Sequence, residues 1–565
     1  MRASDASCNH SKRLWPPKWR KKIGHSRSAA PELSRSQMCS RGSFTDWTHQ
    51  ASGRQAPLLF LLVLCCLTAF HLWFIHSGRF NLAPDEAHYW TWSKRLDWSY
   101  YSKGPMVAYL IALSTRLGGD TEFFIRLPAV LLSTGTAVCT FVLADRLCRS
   151  TWAGLQAVLA LAAMPLAEAG SILMTIDAPL VFFWSLTLVL IHRALTTGGN
   201  GRWLLAGIGL GLGLLSKYTM AIMAPQIFLY LLLSRQHRFW LRRPGPYLAL
   251  GVGLLLFTPV IYWSATHHFV SLRHLLEQLG GGNNSVIPLK SAGEFVASQA
   301  GVVTPLLFLI LIIGLWEVGR TGLARCGDDT SLFLLCASAP LLIVCVITSL
   351  WTKVQANWAA PTYIAAAVAA VAWRQSASAH RNSGPSAWRW TRSRTLFVCA
   401  LITGFLVSAV GHFPHALAAV GLPLPRKLDL TKRLRGWAEL GAQVNAIYEE
   451  MSHNGPTFVF SDRYQVASEV MFYVAAHPAT YNIQLGRRMN QFDVWGGTDK
   501  VRGWNAVFIT DRPDPPEPVL RSFDVVQSDP LTVPSTVGPM HRLRPWFIFR
   551  CYKFRGFQPA RQLGY

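Results

Sequence analysis

Charged residues are scarce in this chain, and acidic residues are the scarcest. Only 15% of the 565 residues are charged, with 29 Asp and Glu against 54 Lys and Arg, whereas 51% are hydrophobic. A soluble protein of this size needs more charge than that to cover its surface. The composition therefore excludes an ordinary soluble enzyme and predicts a protein that crosses a membrane many times.

A disulfide framework and a zinc-binding pattern are also lacking. The cysteines lie mainly inside apolar runs, and no Cys/His spacing fits a structural metal site. The net charge of +25 would suit a nucleic-acid-binding protein. However, Lys and Arg cluster in loops between long apolar runs, as they do in the cytoplasmic loops of membrane proteins. We therefore expect membrane lipid, and no nucleic acid, around this chain.

Hydropathy divides the chain into three expected domains. Residues 1–56 are polar and basic, which predicts a disordered cytoplasmic tail; a start codon assigned too far upstream would also explain them. Residues 57–412 contain the apolar runs and form the expected transmembrane domain. Residues 413–565 alternate between helical and strand patterns (TFVFSD, QVASEVMFYVAA, ATYNIQL and WNAVFIT), which predicts a small α/β domain outside the cytoplasm.

The transmembrane domain is expected to hold about eleven spanning helices. Each needs ~17 to 25 residues unless neighbouring helices bury it. The expected spans are 57–77, 124–144, 153–172, 178–195, 203–216, 218–234, 247–265, 302–318, 331–350, 357–373 and 395–412. This count places the N-terminus and the basic loops in the cytoplasm and the C-terminal part outside. The apolar run 105–117 is too short to span, and we expect it at the outer interface.

The segment NLAPDEAHYWTWSKRLDWSYYSKG, residues 81–104, follows the first span and concentrates charged and aromatic side chains. Aromatic rings of this kind settle at a membrane–water interface. Pro84 with Asp85 and Glu86 is the pattern of a helix start, which needs no catalytic role. Alternatively, one carboxylate accepts a proton from a hydroxyl nucleophile. The two acids point ~100° apart on a helix, so only one can address a given atom.

Other polar residues occur at expected outer turns. Lys217 interrupts the apolar run LGLGLLSKYTMAIMAP, and a lysine inside a membrane indicates a functional site unless it reaches the interface by snorkelling. Lys103 and Lys217 together suit a phosphate. Asp177 is either an N-cap or a site residue. Further candidate substrate contacts are His88, Tyr89, Lys353, Gln355 and Asn357.

The motifs PDEAHYW, YYSKGP and GLGLLSKYTMAIMAP resemble those of GT-C glycosyltransferases of the protein O-mannosyltransferase and lipid A aminoarabinose-transferase type, the bacterial glycosyltransferase family 39 pattern. The resemblance covers about residues 57–375. It implies a polytopic enzyme of the bacterial cytoplasmic membrane. Three residues depart from the aminoarabinose-transferase pattern: His88 replaces the usual Arg, Gly104 the usual Pro, and Tyr218 the usual Gly.

The resemblance implies an inverting transfer from a polyprenyl-phosphate sugar to a glycolipid, lipopolysaccharide or protein. The catalytic role falls on Asp85, with phosphate contacts on Lys103 and Lys217. A divalent metal could share the phosphate role, although no ligand cluster requires one. The competing hypothesis is a transporter or flippase of a lipid-linked sugar.

A polar cluster in the C-terminal part is a candidate acceptor site. It contains Arg487, Arg488, Asn490, Gln491 and Asp493, whose side chains suit hydrogen bonds to a sugar or a glycolipid head group. A solvated loop would show the same composition.

Overall fold

The computed structural model describes residues 55–280, 287–324, 328–379, 386–419, 421, 429–528, 536–537, 541–542 and 545–557. The expected cytoplasmic tail, apart from its last two residues, lies outside these ranges. Parts of two connections between expected spans also lie outside them, the connection from 265 to 302 and the connection from 373 to 395.

Helices make up the N-terminal three quarters of the chain. Helices α1 to α8 are Gln55–His76, Pro84–Ser93, Met106–Gly118, Glu122–Cys148, Thr151–Ala162, Pro165–Ile172, Asp177–Thr197 and Asn200–Ser216. Helices α9 to α16 are Met223–Leu233, Gly245–Thr266, Val270–Gly280, Pro288–Val303, Pro305–Gly322, Asp329–Thr348, Thr362–Ala379 and Ser386–His412. Short 3₁₀ helices lie at Tyr218–Ile222, Arg238–Arg242 and Ala356–Ala359.

Seven helices of the described ranges are long and apolar enough to cross a bilayer: α1, α4, α7, α10, α13, α14 and the Arg394–His412 part of α16. An eighth crossing is added if α5 and α6, which meet at 79°, form one span. The protein is therefore an integral membrane protein. The expected spans 203–216, 218–234 and 357–373 are mostly helical but are not among the helices that are both long and apolar enough to cross a bilayer. The number eleven therefore stays a prediction.

Small residues let the helices of the bundle approach closely. From Ile364 to Ala372 every residue of α15 is at most 1% exposed, which places this alanine-rich helix in the centre. On α8, a Cβ at Gly207 would lie 2.6 Å from the Ala249 carbonyl oxygen of α10. Helix α8 ends at Ser216, and Lys217 is extended (φ −156°, ψ 136°). The expected turn at Lys217 is thus present in the structure.

The C-terminal part contains a mixed sheet and short helices. Helices α17 to α21 are Pro414–Ala419, Trp437–His453, Tyr464–Tyr473, Gln491–Trp495 and Glu517–Arg521, with 3₁₀ helices at Leu430–Leu434 and Thr498–Val501. Strands β1 to β7 are Thr457–Ser461, Thr480–Asn482, Asn505–Thr510, Phe523–Ser528, Thr536–Val537, His541–Arg542 and Phe547–Phe554. The main sheet has the order β2-β1-β3-β7-β4. β1 is parallel to β2 and β3, and β7 is antiparallel to β3 and β4.

Specific hydrogen bonds fasten this sheet region to the loop behind the first span. The Leu82 N–H donates to the Tyr473 hydroxyl at 2.8 Å, and His88 Nδ1 lies 3.0 Å from the Ser468 hydroxyl. The Trp437 N–H donates to the Asn81 side chain at 3.1 Å. Helix α19 therefore packs along α2, and its first residue, Tyr464, comes to lie beside Asp85.

Candidate active site

Helix α2 begins with Pro84 at its first position, as the sequence predicts. Its next two residues are the two acids, and helical geometry turns them to different sides. Glu86 closes the first turn by accepting the Ala83 N–H at 2.9 Å. Asp85 faces outward from the helix into open space between α2 and the C-terminal part.

Glu86, the second candidate for the catalytic carboxylate, is held away from that space. Its carboxylate is 0% exposed and accepts from Arg126 Nη2 at 2.9 Å and from the Met174 N–H at 2.8 Å. The Arg126 guanidinium also donates to the Phe80 carbonyl at 2.8 Å. Removing one partner of such a buried ion pair costs about 3–5 kcal/mol. Glu86 thus stabilises the loop that carries Asp85, and it is absent from the described lining of both cavities that Asp85 borders.

A polar cavity of about 340 Å³ gathers most of the predicted site residues. Its lining includes Asp85, His88, Tyr89, Lys103, Asp177, Lys217, Gln355 and Asn357. These residues come from four separate segments of the chain. Lys353 is exposed and lies outside this lining, in contrast to its neighbours. Within the described residues, no group of three or more His, Cys, Asp or Glu side chains is arranged to hold a metal ion, so a divalent cation stays a prediction.

Asp177 connects two of the predicted residues instead of capping its helix. Its carboxylate accepts from Lys217 Nζ at 2.7 Å and from Asn357 Nδ2 at 2.6 Å. The N-cap of α7 is Ile176, without a side-chain cap. The site interpretation of Asp177 therefore fits the structure better than the N-cap interpretation. Lys217 is only 8% exposed, and this pairing explains how its charge is accommodated.

A close contact at Gly104 brings Lys103 to the Lys217 turn. A Cβ at Gly104 would lie 2.0 Å from the Leu215 carbonyl oxygen, so only glycine fits there. Burial and the neighbouring Lys217 charge lower the pKa of Lys103 to about 8, while Asp177 and Asp85 oppose this shift. Lys103 thus carries most of its positive charge at neutral pH, close to a second lysine.

Asp85 lies on a wall shared by two cavities. Besides the polar cavity, it lines a groove of about 1180 Å³ between α6, α16 and the C-terminal part. It is open to water through both, but protein encloses its other sides, and this burial raises the pKa of its carboxyl. Lys103, Arg433 and a hydrogen bond from Tyr464 act in the opposite direction. A carboxylate with a raised pKa is a stronger proton acceptor.

His88 is a packing residue at the edge of the cavity. Its Nε2 accepts from the Trp92 indole at 3.2 Å, which leaves Nδ1 to donate to Ser468. Burial lowers the pKa of His88 to about 3, so the ring is neutral. Its ring centroid also lies 4.6 Å from that of Tyr464. His88 thus contacts α19 and also lines the cavity, and its expected substrate contact stays a prediction.

The C-terminal cluster divides between support and cavity. Arg487 makes two hydrogen bonds to Asp493, at 2.8 and 2.9 Å, and others to backbone carbonyls. Asn490 caps α20 by accepting the Phe492 N–H. Arg488 and Gln491 line the polar cavity, as does Asn490. Part of the cluster therefore faces the cavity that holds Lys103, and its expected role in binding the acceptor stays a prediction.

Known proteins share both the sequence and the architecture of this chain. The family model described as dolichyl-phosphate-mannose-protein mannosyltransferase matches residues 102–263. Lipid A galacturonosyltransferase RgtD of Rhizobium johnstonii is 27% identical over 437 residues, which cover 76% of this chain and 85% of that protein. The crystal structure of ArnT from Cupriavidus metallidurans bound to undecaprenyl phosphate superposes with a TM-score of 0.57 at 17% identity. It covers 88% of this chain and 98% of ArnT. The chain is thus similar in sequence to known glycosyltransferases and shares the fold of ArnT.

A third relative matches a shorter part of the chain. The undecaprenyl phosphate-α-4-amino-4-deoxy-L-arabinose arabinosyl transferase of Pseudomonas aeruginosa is 27% identical over 195 residues, 31% of this chain and 35% of that protein. The expectation that His88, Gly104 and Tyr218 set this chain apart from the aminoarabinose transferases is not tested by these matches.

Several residues that line the polar cavity were not predicted from the sequence. They are Trp92, Tyr101, Ser102, Thr175, Ile176, His274, Gln278, Trp358, Tyr464 and Met489. Tyr464 follows β1 at the start of α19, a position that no local pattern marks as functional. Only the packing of α19 on α2 brings its hydroxyl to Asp85.

Proposed function

We propose that this glycosyltransferase moves a sugar from a polyprenyl phosphate to a glycolipid of the lipid A type. The observation that carries the proposal is that Asp85 lies on the wall between a polar cavity and a larger groove. A base at this position can take a proton from a molecule in one cavity while a second molecule is bound in the other. RgtD acts on lipid A, and the ArnT structure contains undecaprenyl phosphate, which supports both substrate classes.

The polar cavity suits the donor. Its volume of about 340 Å³ lies within the ~300–1,000 Å³ typical of small-ligand sites. Lys103 and Lys217 provide positive charge for one phosphate. Asp177 and Asn357 also line an apolar cleft of about 250 Å³ between membrane helices, bordered by residues such as Leu161. A polyprenyl chain in this cleft would reach the lysines with its phosphate.

The larger groove suits an anionic glycolipid. Helices α6 and α16 give it an apolar floor, with residues such as Ile172 and Val407. Basic side chains from the C-terminal part border the other side: Lys432, Arg433, Arg435 and Arg463. An apolar floor below a basic border matches acyl chains below a phosphorylated sugar. These features favour a lipid over a protein as acceptor.

The reaction is a direct displacement. The acceptor hydroxyl attacks the anomeric carbon and transfers its proton to Asp85, and a new carbon–oxygen bond forms. The bond from the anomeric carbon to the phosphate oxygen breaks, and the polyprenyl phosphate leaves with the bonding electron pair. Lys103 stabilises the negative charge that develops on that phosphate, and this is the main electrostatic contribution to the proposed mechanism. One carboxylate and one displacement invert the configuration.

We also propose the orientation that the basic loops imply. The N-terminus lies in the cytoplasm, and the sheet region and both cavities lie at the outer face of the bacterial cytoplasmic membrane. Eleven spans would satisfy this arrangement.

The proposal predicts transfer of label between lipids. Purified protein in detergent is incubated with undecaprenyl phosphate carrying a radiolabelled sugar and with lipid A, and the lipids are separated by chromatography. We expect label in the lipid A fraction. Label that stays on undecaprenyl phosphate, but crosses the bilayer in proteoliposomes, would favour a flippase and contradict the proposal.

A further inference from the structure

One wall of the polar cavity carries nitrogen atoms that the transfer reaction does not use. The Gln491 side chain is 1% exposed, and its Oε1 accepts the Tyr101 N–H at 2.6 Å. Its Nε2 has no hydrogen-bond partner among the described residues, and neither has Nδ1 of His274, a residue that is 7% exposed. Buried polar groups normally have partners. Two such nitrogens in the wall of one cavity therefore indicate that a bound ligand completes this wall.

Arg488 adds a cation to the same wall. Its Nη2 makes long hydrogen bonds, 3.3 Å to the His274 carbonyl and 3.5 Å to Glu277, and Arg488 also interacts with the Tyr101 hydroxyl. The Arg488 side chain is 44% exposed and lines the cavity. Arg488 and Lys103 both act on the charge of His274, so all three groups belong to one positive region of the cavity.

The charge balance at the cavity wall around Arg488 favours an anion. Burial, together with the charges of Arg488 and Lys103, lowers the pKa of His274 to about 3. His274 is therefore a neutral hydrogen-bonding group in a positive region. Of the two carboxylates in the described lining, Asp177 is paired with Lys217 and Asn357, and Asp85 is the proposed base. Neither is therefore assigned to an ammonium group on a sugar.

We propose that Arg488, with Gln491 and His274 beside it, binds a carboxylate on the donor sugar, so that the enzyme selects a uronic acid over a neutral or amino sugar. This inference rests on the proposed function, since it names the sugar class that the donor cavity accepts. An arginine fork matches the planar carboxylate, and amide and imidazole N–H groups can complete its hydrogen bonds. A neutral hexose offers hydroxyls to the same nitrogens but adds no negative charge to that of Glu277, which lies 3.5 Å from the guanidinium.

The test compares two donors that differ only at carbon 6. Undecaprenyl phosphate galacturonate and undecaprenyl phosphate galactose are assayed with lipid A, and kcat/KM is measured for wild type and Arg488→Gln. A charge-assisted hydrogen bond contributes enough for a preference of about 10- to 100-fold. We expect wild type to prefer galacturonate by that factor, and Arg488→Gln to lose the preference by slowing galacturonate transfer alone. Arg521→Gln, at an exposed Glu517 pair in the same region, is the matched control and should retain the preference.

The possible outcomes separate this inference from the proposed function. Transfer of galactose as fast as galacturonate by wild type would overturn the inference while supporting glycosyl transfer. An equal loss with both donors in Arg488→Gln would place Arg488 at the phosphate and also overturn it. If Arg488→Gln does not fold, the wild-type preference still decides. Transfer of neither sugar to lipid A by wild type would contradict the proposed function itself.

Discussion

Replacing Asp85 with asparagine should lower the rate of sugar transfer by about 10² to 10⁴, the range for loss of a general base. The amide keeps the shape and the Tyr464 contact but cannot accept the acceptor's proton. Because burial raises the pKa of Asp85, wild-type activity should rise with pH through that pKa as the base loses its proton. The measurement is kcat with saturating donor and acceptor across pH.

Two comparisons give the Asp85 result its meaning. Binding of undecaprenyl phosphate to Asp85→Asn should stay within a few-fold of wild type, since Lys103 and Lys217 are unchanged. Glu86→Gln should instead lower the melting temperature, because it weakens the buried pair with Arg126. Activity of Asp85→Asn close to the wild-type level would remove Asp85 from its proposed role.

Removing the positive charge of Lys103 should weaken binding of undecaprenyl phosphate by about 10- to 100-fold, since hydrogen bonds to charged groups contribute about 1.5–3 kcal/mol. The affinity for lipid A should change less. The pKa of Lys103, about 8, predicts a second effect, on the pH dependence of donor binding. The charged form binds phosphate, so donor affinity of wild type should fall as pH rises through about 8, whereas Lys103→Arg should keep its affinity there.

Lys217 should behave differently because it is paired with Asp177 at 2.7 Å. Lys217→Ala leaves the Asp177 carboxylate without its cation beside the donor phosphate, which adds repulsion to the lost attraction. The double variant Lys217→Ala with Asp177→Asn should therefore bind undecaprenyl phosphate better than Lys217→Ala alone. Equal donor affinity in wild type, Lys103→Ala and Lys217→Ala would contradict the phosphate role of both lysines.

Local patterns marked many of the residues that line the polar cavity. A proline followed by acids marks a helix start, and helical geometry already states that Asp85 and Glu86 face different ways. The sequence does not say which of them faces the cavity. That choice depends on Arg126, 40 residues later, which is buried and forms its ion pair with Glu86. The lysine within the apolar run at Lys217 was informative because an unpaired charge there would be costly.

Local patterns named a polar cluster in the C-terminal part but could not predict which of its side chains reach the cavity. Ser468 meets His88 across 380 positions of sequence, and Gln491 meets Tyr101 across 390. Composition also made Arg487 and Arg488 look equivalent. Only the structure shows that Arg487 is bound to Asp493 whereas Arg488 faces the cavity.

Only some strands of the sheet were predicted, because the others are defined by long-range pairing. The segments of β1, β2 and β3 have the turn residues and β-branched or aromatic side chains that mark strands. β7, with the sequence FIFRCYKF, was not predicted although it pairs with both β3 and β4. Its place in the middle of the order depends on these long-range pairings, which no local pattern contains.

The anomeric configuration of the product tests the central claim most directly, because a single base at Asp85 permits only one displacement. Proton NMR of the modified lipid A gives the coupling between the first two sugar protons, which is compared with that of the polyprenyl-phosphate donor. The account predicts inverted configuration in the product. Retained configuration would require a covalent intermediate on a second carboxylate and would contradict the mechanism.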